Sequence, residues 1–130
     1  MPEGWWIRGA RGAITIKEDK KEEIVKKGKY MINEIIKKNE IKECDIVCVF
    51  FTVTDDIKSA SPGCIVREMG LKKVPVLCSQ EPVYENSLAR TIRVLILYHS
   101  GKKTVKHAYI GEAKKLRPDL QEESENADRF

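Results

Sequence analysis

The most constraining feature of this chain is a strongly apolar stretch with an arginine near its centre. Residues 91–98 read Thr-Ile-Arg-Val-Leu-Ile-Leu-Tyr, and β-branched and aromatic residues of this kind favour an extended strand. Side chains alternate along a strand, so Arg93 shares a face with Leu95, while Ile92 and Val94 occupy the other face. Both faces are apolar apart from the arginine, which predicts a strand covered on both sides.

An arginine in such a strand requires an anionic partner, because a guanidinium keeps its charge at all ordinary pH values. Two interpretations remain open from the residues alone. In the first, an internal carboxylate such as that of Glu81 forms a structural salt bridge with Arg93. In the second, Arg93 lines a dry cavity that binds an anionic ligand.

The length and charge of the chain limit the classes of protein to which it can belong. The chain has 130 residues, which corresponds to one domain with one core. We assign this domain to residues 1–120 and expect a mobile acidic tail over residues 121–130. The net charge of +4 comes from 24 basic and 20 acidic residues. No basic cluster is interleaved with aromatic residues, which argues against a nucleic-acid partner.

The sequence also lacks the patterns of export and membrane insertion. Its first residues do not combine a charged segment with an apolar one, and no run approaches the ~18 apolar residues of a membrane span. We therefore expect a cytoplasmic protein with no membrane partner.

The four cysteines do not form a metal-binding pattern. Cys44 and Cys48 are four residues apart, but no second cysteine or histidine pair stands at the spacing of a zinc site. The two histidines, His99 and His107, are far from both in sequence. We expect free buried thiols and no metal site.

Hydrophobic periodicity predicts an α+β fold with a mixed sheet of about five strands. The predicted strands are residues 6–16, 45–54, 74–80, 89–98 and 105–110. The first is expected to be irregular at Gly9 and Gly12, because glycine in a strand often marks a bulge.

Two helices complete the predicted fold. The longer one opens with Asp19 and Glu22, a spacing typical of a helix cap. Gly28 falls on the apolar side of this helix and predicts close backbone packing there. A shorter helix opens with Ser61 and Pro62.

The balance of strands and helices predicts an oligomer. Two helices can cover only one face of a five-stranded sheet. The strands at 45–54 and 89–98 are nevertheless apolar on both faces. Another copy of the chain is the economical cover for the second face, although the pattern does not give the number of subunits.

Six blocks of residues carry a resemblance to a known family. In chain order they are Arg8–Ala13, Val66–Glu68, Val74–Glu81, Ile92–Val94, His107–Tyr109 and Leu116–Leu120. The first block alone is a weak pattern, whereas six blocks in this order and at these separations are specific. Over roughly residues 7–120 the chain resembles the monofunctional chorismate mutases of the AroH class, the Bacillus type.

The resemblance implies a homotrimer whose sheets form a pseudo α/β barrel, with an active site between neighbouring subunits. The implied reaction is the Claisen rearrangement of chorismate to prephenate in aromatic amino-acid biosynthesis. No proton moves and no covalent enzyme intermediate forms. Fixed charges that hold a compact conformer and stabilise the ether oxygen are therefore sufficient. No cofactor or metal is expected.

The resemblance also implies roles for individual residues, three of them catalytic. Arg93 corresponds to the arginine that faces the ether oxygen and a carboxylate. Arg11 corresponds to a second arginine that binds a substrate carboxylate. Glu81 and Cys78 correspond to the pair at the ring hydroxyl, whose hydrogen bond Glu81 accepts.

The remaining positions are expected to bind substrate. Tyr109 corresponds to a tyrosine whose hydroxyl reaches a carboxylate, and Arg67 and Arg117 correspond to basic residues near the mouth. Leu116 begins a segment that closes over the site. Taken singly, Tyr109 is equally compatible with a core position, and the two arginines with the surface, so the assignment depends on their joint occurrence.

The chain departs from the family at four positions. Ser61, Gly63 and Cys64 stand where the Bacillus-type protein has an aromatic wall residue, a small residue and a lysine. Leu77 stands where a threonine can occur. These departures are expected to alter the wall and mouth of the site, and hence substrate affinity rather than the type of reaction.

Two alternatives remain from the sequence. Trimeric imine-deaminase-like (RidA) proteins also bind carboxylates with an arginine between subunits, and such a chain would hydrolyse enamines or bind small acids. The pair Glu81 and Cys78 and the segment Leu116–Leu120 favour the mutase. The other alternative is an inactive or regulatory trimer that binds chorismate-like diacids without turnover.

Overall fold

The fold is a five-stranded mixed sheet with two helices, described here from a computed structural model over residues 4–117. The strands are β1 (Trp6–Thr15), β2 (Ile46–Val53), β3 (Val76–Gln80), β4 (Thr91–Ser100) and β5 (Ala108–Ile110). The helices are α1 (Lys21–Asn39) and α2 (Gly63–Glu68), with 3₁₀ turns at Glu43–Asp45 and Gly111–Lys115. The predicted acidic tail lies outside the described residues.

The sheet order is β3-β2-β4-β1-β5. β4 pairs antiparallel with both β1 and β2, whereas β3 and β5 pair parallel with their neighbours. The predicted mixed sheet is confirmed, with strand ends shifted by a few residues. The order places the apolar strand β4 at the centre, where both of its edges are hydrogen-bonded.

Both helices pack on the same face of the sheet, as predicted. A Cβ atom added at Gly12 in β1 would lie 2.7 Å from Ile35 Cδ1 and 3.1 Å from Met31 Cγ, both in α1. A Cβ added at Gly63, the first residue of α2, would lie 3.5 Å from Cys78 Sγ in β3. The core between these layers contains the even-numbered apolar residues of β4, with Ile92 and Ile96 fully buried.

The expected irregularity of β1 is wrong. Its register with β4 runs without a break from Trp6 opposite Ser100 to Thr15 opposite Thr91. The register shift lies instead in β2, between Ile46 and Cys48. Gly12 is explained by the close approach of α1, because a side chain there would collide with the helix.

The predicted cap of α1 is also wrong. Lys20 occupies the N-cap position without a side-chain hydrogen bond. The Asp19 carboxylate instead accepts the backbone N–H groups of Lys58, at 2.9 Å, and Ser59, at 3.1 Å. These bonds, with the Ser59 hydroxyl, lower the pKa of Asp19 below its ordinary value. A tertiary contact has therefore replaced the local cap.

Gly28 packs as closely as predicted. A Cβ atom there would collide with Ile65 Cδ1 and lie 2.6 Å from Ile65 Cγ1 in α2. We expect Gly28→Ala to destabilise the protein by about 1 kcal/mol, because overpacking outweighs the gain in helix propensity. Urea unfolding at a fixed protein concentration measures this loss.

A second substitution tests the cause. Ile65→Val shortens the colliding side chain, so the Gly28→Ala/Ile65→Val protein should be at least as stable as Gly28→Ala alone. Strict additivity of the two losses would contradict the packing explanation. Lys26→Ala, on the exposed side of α1, is the matched control.

Candidate functional site

The face of the sheet away from the helices carries Arg93, Arg11 and Tyr109, three of the predicted site residues. One row across it places Thr52, Arg93, Ala13 and Tyr109 in register on β2, β4, β1 and β5. Residues paired across strands point to the same face. Alternation places Arg11 two residues from Ala13 on this face. We call this surface the open face.

Arg93 forms the salt bridge with Glu81 that the sequence suggested. Arg93 Nε lies 3.2 Å from Glu81 Oε1, and the Thr52 hydroxyl donates to the same carboxylate oxygen. The Glu81 backbone N–H donates to Val53 O at 2.8 Å, which fixes the residue beyond the end of β3. The Glu81 carboxylate is therefore held by two side chains, both of which contact Oε1.

The second face of β4 is uncovered in the single chain, as expected for a sheet with two helices, and its burial by another copy stays a prediction. The Arg93 side chain is 45% exposed, against 17% for Glu81. Leu95 and Leu97, on the same face, are only half-buried. The helices leave this face open because both lie on the opposite one.

A cavity of about 530 Å³ lies over the row that contains Arg93. Its lining residues are Arg11, Gly12, Phe50, Thr52, Arg93, Val94, Leu95, Tyr109, Leu116 and Arg117. Three guanidinium-bearing side chains line it, and the Glu81 carboxylate contacts one of them, that of Arg93. The three guanidinium groups make the lining basic and suited to an acidic ligand with more than one carboxylate.

Tyr109 is both a core residue and a lining residue. It is 6% exposed and packs in a small cluster with Ala13 and Ala113, against which Leu116 also packs. The small side chain of Ala13 gives the ring its space. The predicted residues Leu116 and Arg117 thus lie at the cavity, whereas residues 118–120 of the closing segment are outside the described part of the chain.

Cys78 and Arg67 lie elsewhere. Cys78 is in register with Phe51, which is buried beneath the helices, and Ser61 Oγ donates to Cys78 Sγ at 3.6 Å. A Cβ added at Gly63 would lie 3.7 Å from Arg67 Nη1. Within one chain, the predicted pair of Cys78 and Glu81 is therefore not formed, because the two side chains point to opposite faces.

The four departures from the family pattern also lie in different parts of the fold. Ser61 and Gly63 lie at the start of α2, close to the side chains of Cys78 and Arg67. Cys64 is 6% exposed and belongs to the core, and its burial raises the pKa of the thiol. The expectation that Cys64 lies at the mouth of the site is wrong. Leu77 is 62% exposed and lies on the open face, in register with Phe50.

Sequence reasoning missed two residues that support the site. Thr52 is the hydroxyl residue of an otherwise apolar strand. A polar side chain in such a strand is a signal from which the residue could have been found. His107 accepts the backbone N–H of Arg11 through Nδ1 at 2.9 Å. Nothing in the sequence distinguished that role from an ordinary position within a family block.

The described residues contain neither a candidate metal centre nor a membrane-spanning helix. Within 4–117, no group of three or more His, Cys, Asp or Glu side chains could hold a metal ion. All four cysteines fall in this range and are free, but the expectation that they are buried is correct only for Cys64 and wrong for Cys44, Cys48 and Cys78. None of the helices described is long and apolar enough to cross a bilayer. The absence of a cofactor stays a prediction.

The fold and the cavity define an α+β protein with an arginine-lined cavity on the open face of its sheet. Residues 7–120 match the family model of chorismate mutase type I. The chain is 39% identical over 118 residues to the chorismate mutase AroH of Thermus thermophilus, covering 88% of this chain and 97% of that protein. It is 37% identical over 117 residues to the chorismate mutase AroH of Bacillus subtilis (strain 168), covering 88% and 92%.

A solved structure agrees with these relatives. A chorismate mutase from Clostridium thermocellum superposes with a TM-score of 0.81 at 33% identity, covering 83% of this chain and 98% of the other. The chain belongs to the chorismate mutase type I family, whose members are isomerases. The predicted resemblance is confirmed, and the imine-deaminase-like alternative is set aside.

Proposed function

We propose that this chain converts chorismate to prephenate in a cleft completed by a neighbouring subunit of a homotrimer. The observation that carries the proposal is the positive cavity on the open face, with Arg93 fixed by Glu81. Chorismate is a dicarboxylate with an ether oxygen and a ring hydroxyl, so its charge complements such a cavity.

Arg93 is proposed to stabilise the negative charge that grows on the ether oxygen as its bond to carbon breaks. Its contact with Glu81 engages Nε, at one side of the planar fork. The terminal Nη groups are proposed to face the ether oxygen and a carboxylate. A guanidinium held in this way needs no reorganisation during the reaction, which is the source of its catalytic effect.

Glu81 is proposed to orient the substrate through the ring hydroxyl. Arg93 and Thr52 both contact Oε1, so Oε2 is the oxygen proposed to accept the hydroxyl hydrogen. Arg11, Tyr109 and Arg117 are proposed to bind the carboxylates. Two clamped carboxylates and one fixed hydroxyl would hold the compact conformer in which the reacting carbons meet.

Exposed apolar groups on the open face support an interface with another subunit. Ile7 is 58% exposed, Leu77 62% and Phe50 38%, and the half-buried Leu97 lies between them. His99 Nδ1 on this face is enclosed, yet within the described residues it has no hydrogen-bond partner. A contiguous apolar face of this kind marks an interface.

The two separated groups of site residues support an intersubunit cleft. Arg67 and Cys78 lie with α2, while Arg93, Glu81 and Arg11 lie on the open face. A neighbour that covers the open face with its α2 edge would bring its own Arg67 and Cys78 to the cavity. In this arrangement Cys78 and Glu81 meet at the ring hydroxyl from different subunits.

The cellular setting is proposed from the cysteines. Four free thiols suit a reducing compartment, and we propose that the enzyme acts in the cytoplasm in aromatic amino-acid biosynthesis.

Incubation of the purified protein with chorismate tests the proposed activity. The absorbance of chorismate should fall in proportion to enzyme concentration, with prephenate as the product and without added metal or cofactor. Binding of chorismate without turnover would contradict this and indicate a regulatory trimer.

Turnover at saturating chorismate should change little between about pH 6 and 9. The arginines remain charged throughout this range, and the reaction transfers no proton. A bell-shaped profile of kcat with a limb near neutrality would indicate general acid–base catalysis and contradict the mechanism.

A further inference from the structure

The side chain of His107 forms a hydrogen bond with the backbone of Arg11. The Arg11 N–H donates to His107 Nδ1 at 2.9 Å. A backbone N–H can only donate, so Nδ1 must carry a lone pair, and the ring proton must be on Nε2. The contact therefore exists only with the neutral imidazole.

This bond continues the sheet where its last strand stops. The parallel pairing of β1 with β5 begins with Gly12 opposite Ala108 and ends with Ile14 opposite Ile110. One residue earlier, the imidazole of His107 occupies the place of a backbone acceptor for Arg11. The backbone of Arg11 is thereby fixed on its β5 side, which sets the direction in which its side chain leaves the strand.

The segment that carries His107 is fixed in turn by α1. The side chain of Asn39 is buried, with 5% exposure. Its Oδ1 accepts the Lys106 N–H at 2.8 Å, and its Nδ2 donates to Lys106 O at 2.8 Å. Nδ2 also donates to Ile35 O at 2.8 Å. One buried carboxamide thus holds both backbone groups of the residue before His107.

We propose that His107 is a positioning residue for substrate binding, which acts by fixing the backbone of Arg11 through its neutral imidazole. The inference rests on the proposed function, in which Arg11 binds a substrate carboxylate. His107 itself does not touch substrate. Its effect should therefore fall on binding, because a misplaced Arg11 weakens the ground state and the transition state alike.

The surroundings of His107 keep the imidazole neutral. Burial, Arg11 on β1 and Arg117 beyond the last 3₁₀ turn all lower its pKa below the ordinary 6.5. Because the folded pKa is depressed, the contact is complete above pH 6.5 and is lost as the pH falls through the folded value. The KM for chorismate should rise over that acid range, while kcat should stay nearly constant.

Three variants of the full-length protein test the inference. His107→Ala should raise KM about tenfold, as expected for a lost hydrogen bond that leaves a donor unpaired, with kcat changed less than about twofold. His107→Asn should restore most of the affinity, because its amide oxygen can reach the position of Nδ1. It should also remove the acid rise in KM, because an amide does not gain a proton. Lys106→Ala is the matched control and should leave KM unchanged.

Trimer content is checked by light scattering, so that a folding defect is recognised. A His107→Ala enzyme with KM within about twofold of the wild type would overturn the inference. An intact His107→Asn trimer that binds no better than His107→Ala would also overturn it. The same holds for an acid rise in KM that persists in His107→Asn.

A spectroscopic readout separates this inference from the proposed function. In ¹⁵N-labelled wild-type protein at neutral pH, the imidazole should be neutral with its proton on Nε2, and the Arg11 amide resonance should shift as His107 titrates. A wild type without turnover would refute the proposed function, whereas these resonances would still support the contact. A protonated Nδ1, or an Arg11 amide insensitive to the titration, would overturn the inference even in an active enzyme.

Discussion

Arg93→Ala should lower kcat by about 10²–10³ while the protein remains folded and trimeric. That factor is typical for removal of one preorganised donor to a developing oxyanion. The fold should survive because the Arg93 side chain is 45% exposed in the single chain and contributes one ion pair rather than core packing. Steady-state kinetics with chorismate measure the loss, and urea unfolding measures the stability.

Arg93→Lys is the sharper variant, because it keeps the charge. An ammonium is a point charge that cannot span two acceptors as a planar fork does. We therefore expect Arg93→Lys to recover little of the lost activity. Glu81 could still pair with the lysine, so a purely structural salt bridge predicts nearly full recovery instead. An Arg93→Ala enzyme with most of its turnover would contradict the electrostatic mechanism.

Deletion of the chain from Arg117 onward should raise KM by about tenfold to a hundredfold and lower kcat much less. Arg117 lines the cavity, and a charge-assisted hydrogen bond to a carboxylate contributes binding of this order. A closing segment that excludes water slows escape of the diacid but makes few contacts unique to the transition state, which is the kinetic pattern of lost uniform binding.

Two controls define the source of this effect. Deletion from Glu122 onward, beyond the family match at residue 120, should change little. Arg117→Ala in the full-length chain separates the side chain from the segment that follows it. If the longer deletion leaves KM unchanged, no closing segment acts at the site.

The placement of Arg93 and Glu81 on one face could be predicted because strand alternation is strict. The odd positions of β4 place Arg93 on one face, and the chain continues past β3 to Glu81 on the same face. The same rule places Cys78 on the opposite face, since it is in register with the buried Phe51. Strand alternation alone therefore predicts that Cys78 and Glu81 lie on opposite faces of the sheet, whereas the family resemblance suggested that they form a pair.

Other features depend on contacts between distant segments. Asp19 has the spacing of a helix cap, but the backbone at Lys58 and Ser59 binds it instead. The contact between His107 and Arg11 spans two strands that are far apart in sequence. The local sequence pattern does not predict either contact, because both depend on which distant segments of the chain pack together.

Mixed trimers provide the most direct measurement for a catalytic cleft shared by two subunits. Arg93→Ala and Arg67→Ala subunits, each of low activity alone, are unfolded together, refolded and assayed with chorismate. In the proposed trimer each site takes the Arg93 group from one subunit and the Arg67 group from its neighbour, so about a quarter of the sites in random trimers would regain both arginines. We predict activity near a quarter of the wild-type level. A mixture no more active than its separate components would contradict the shared site.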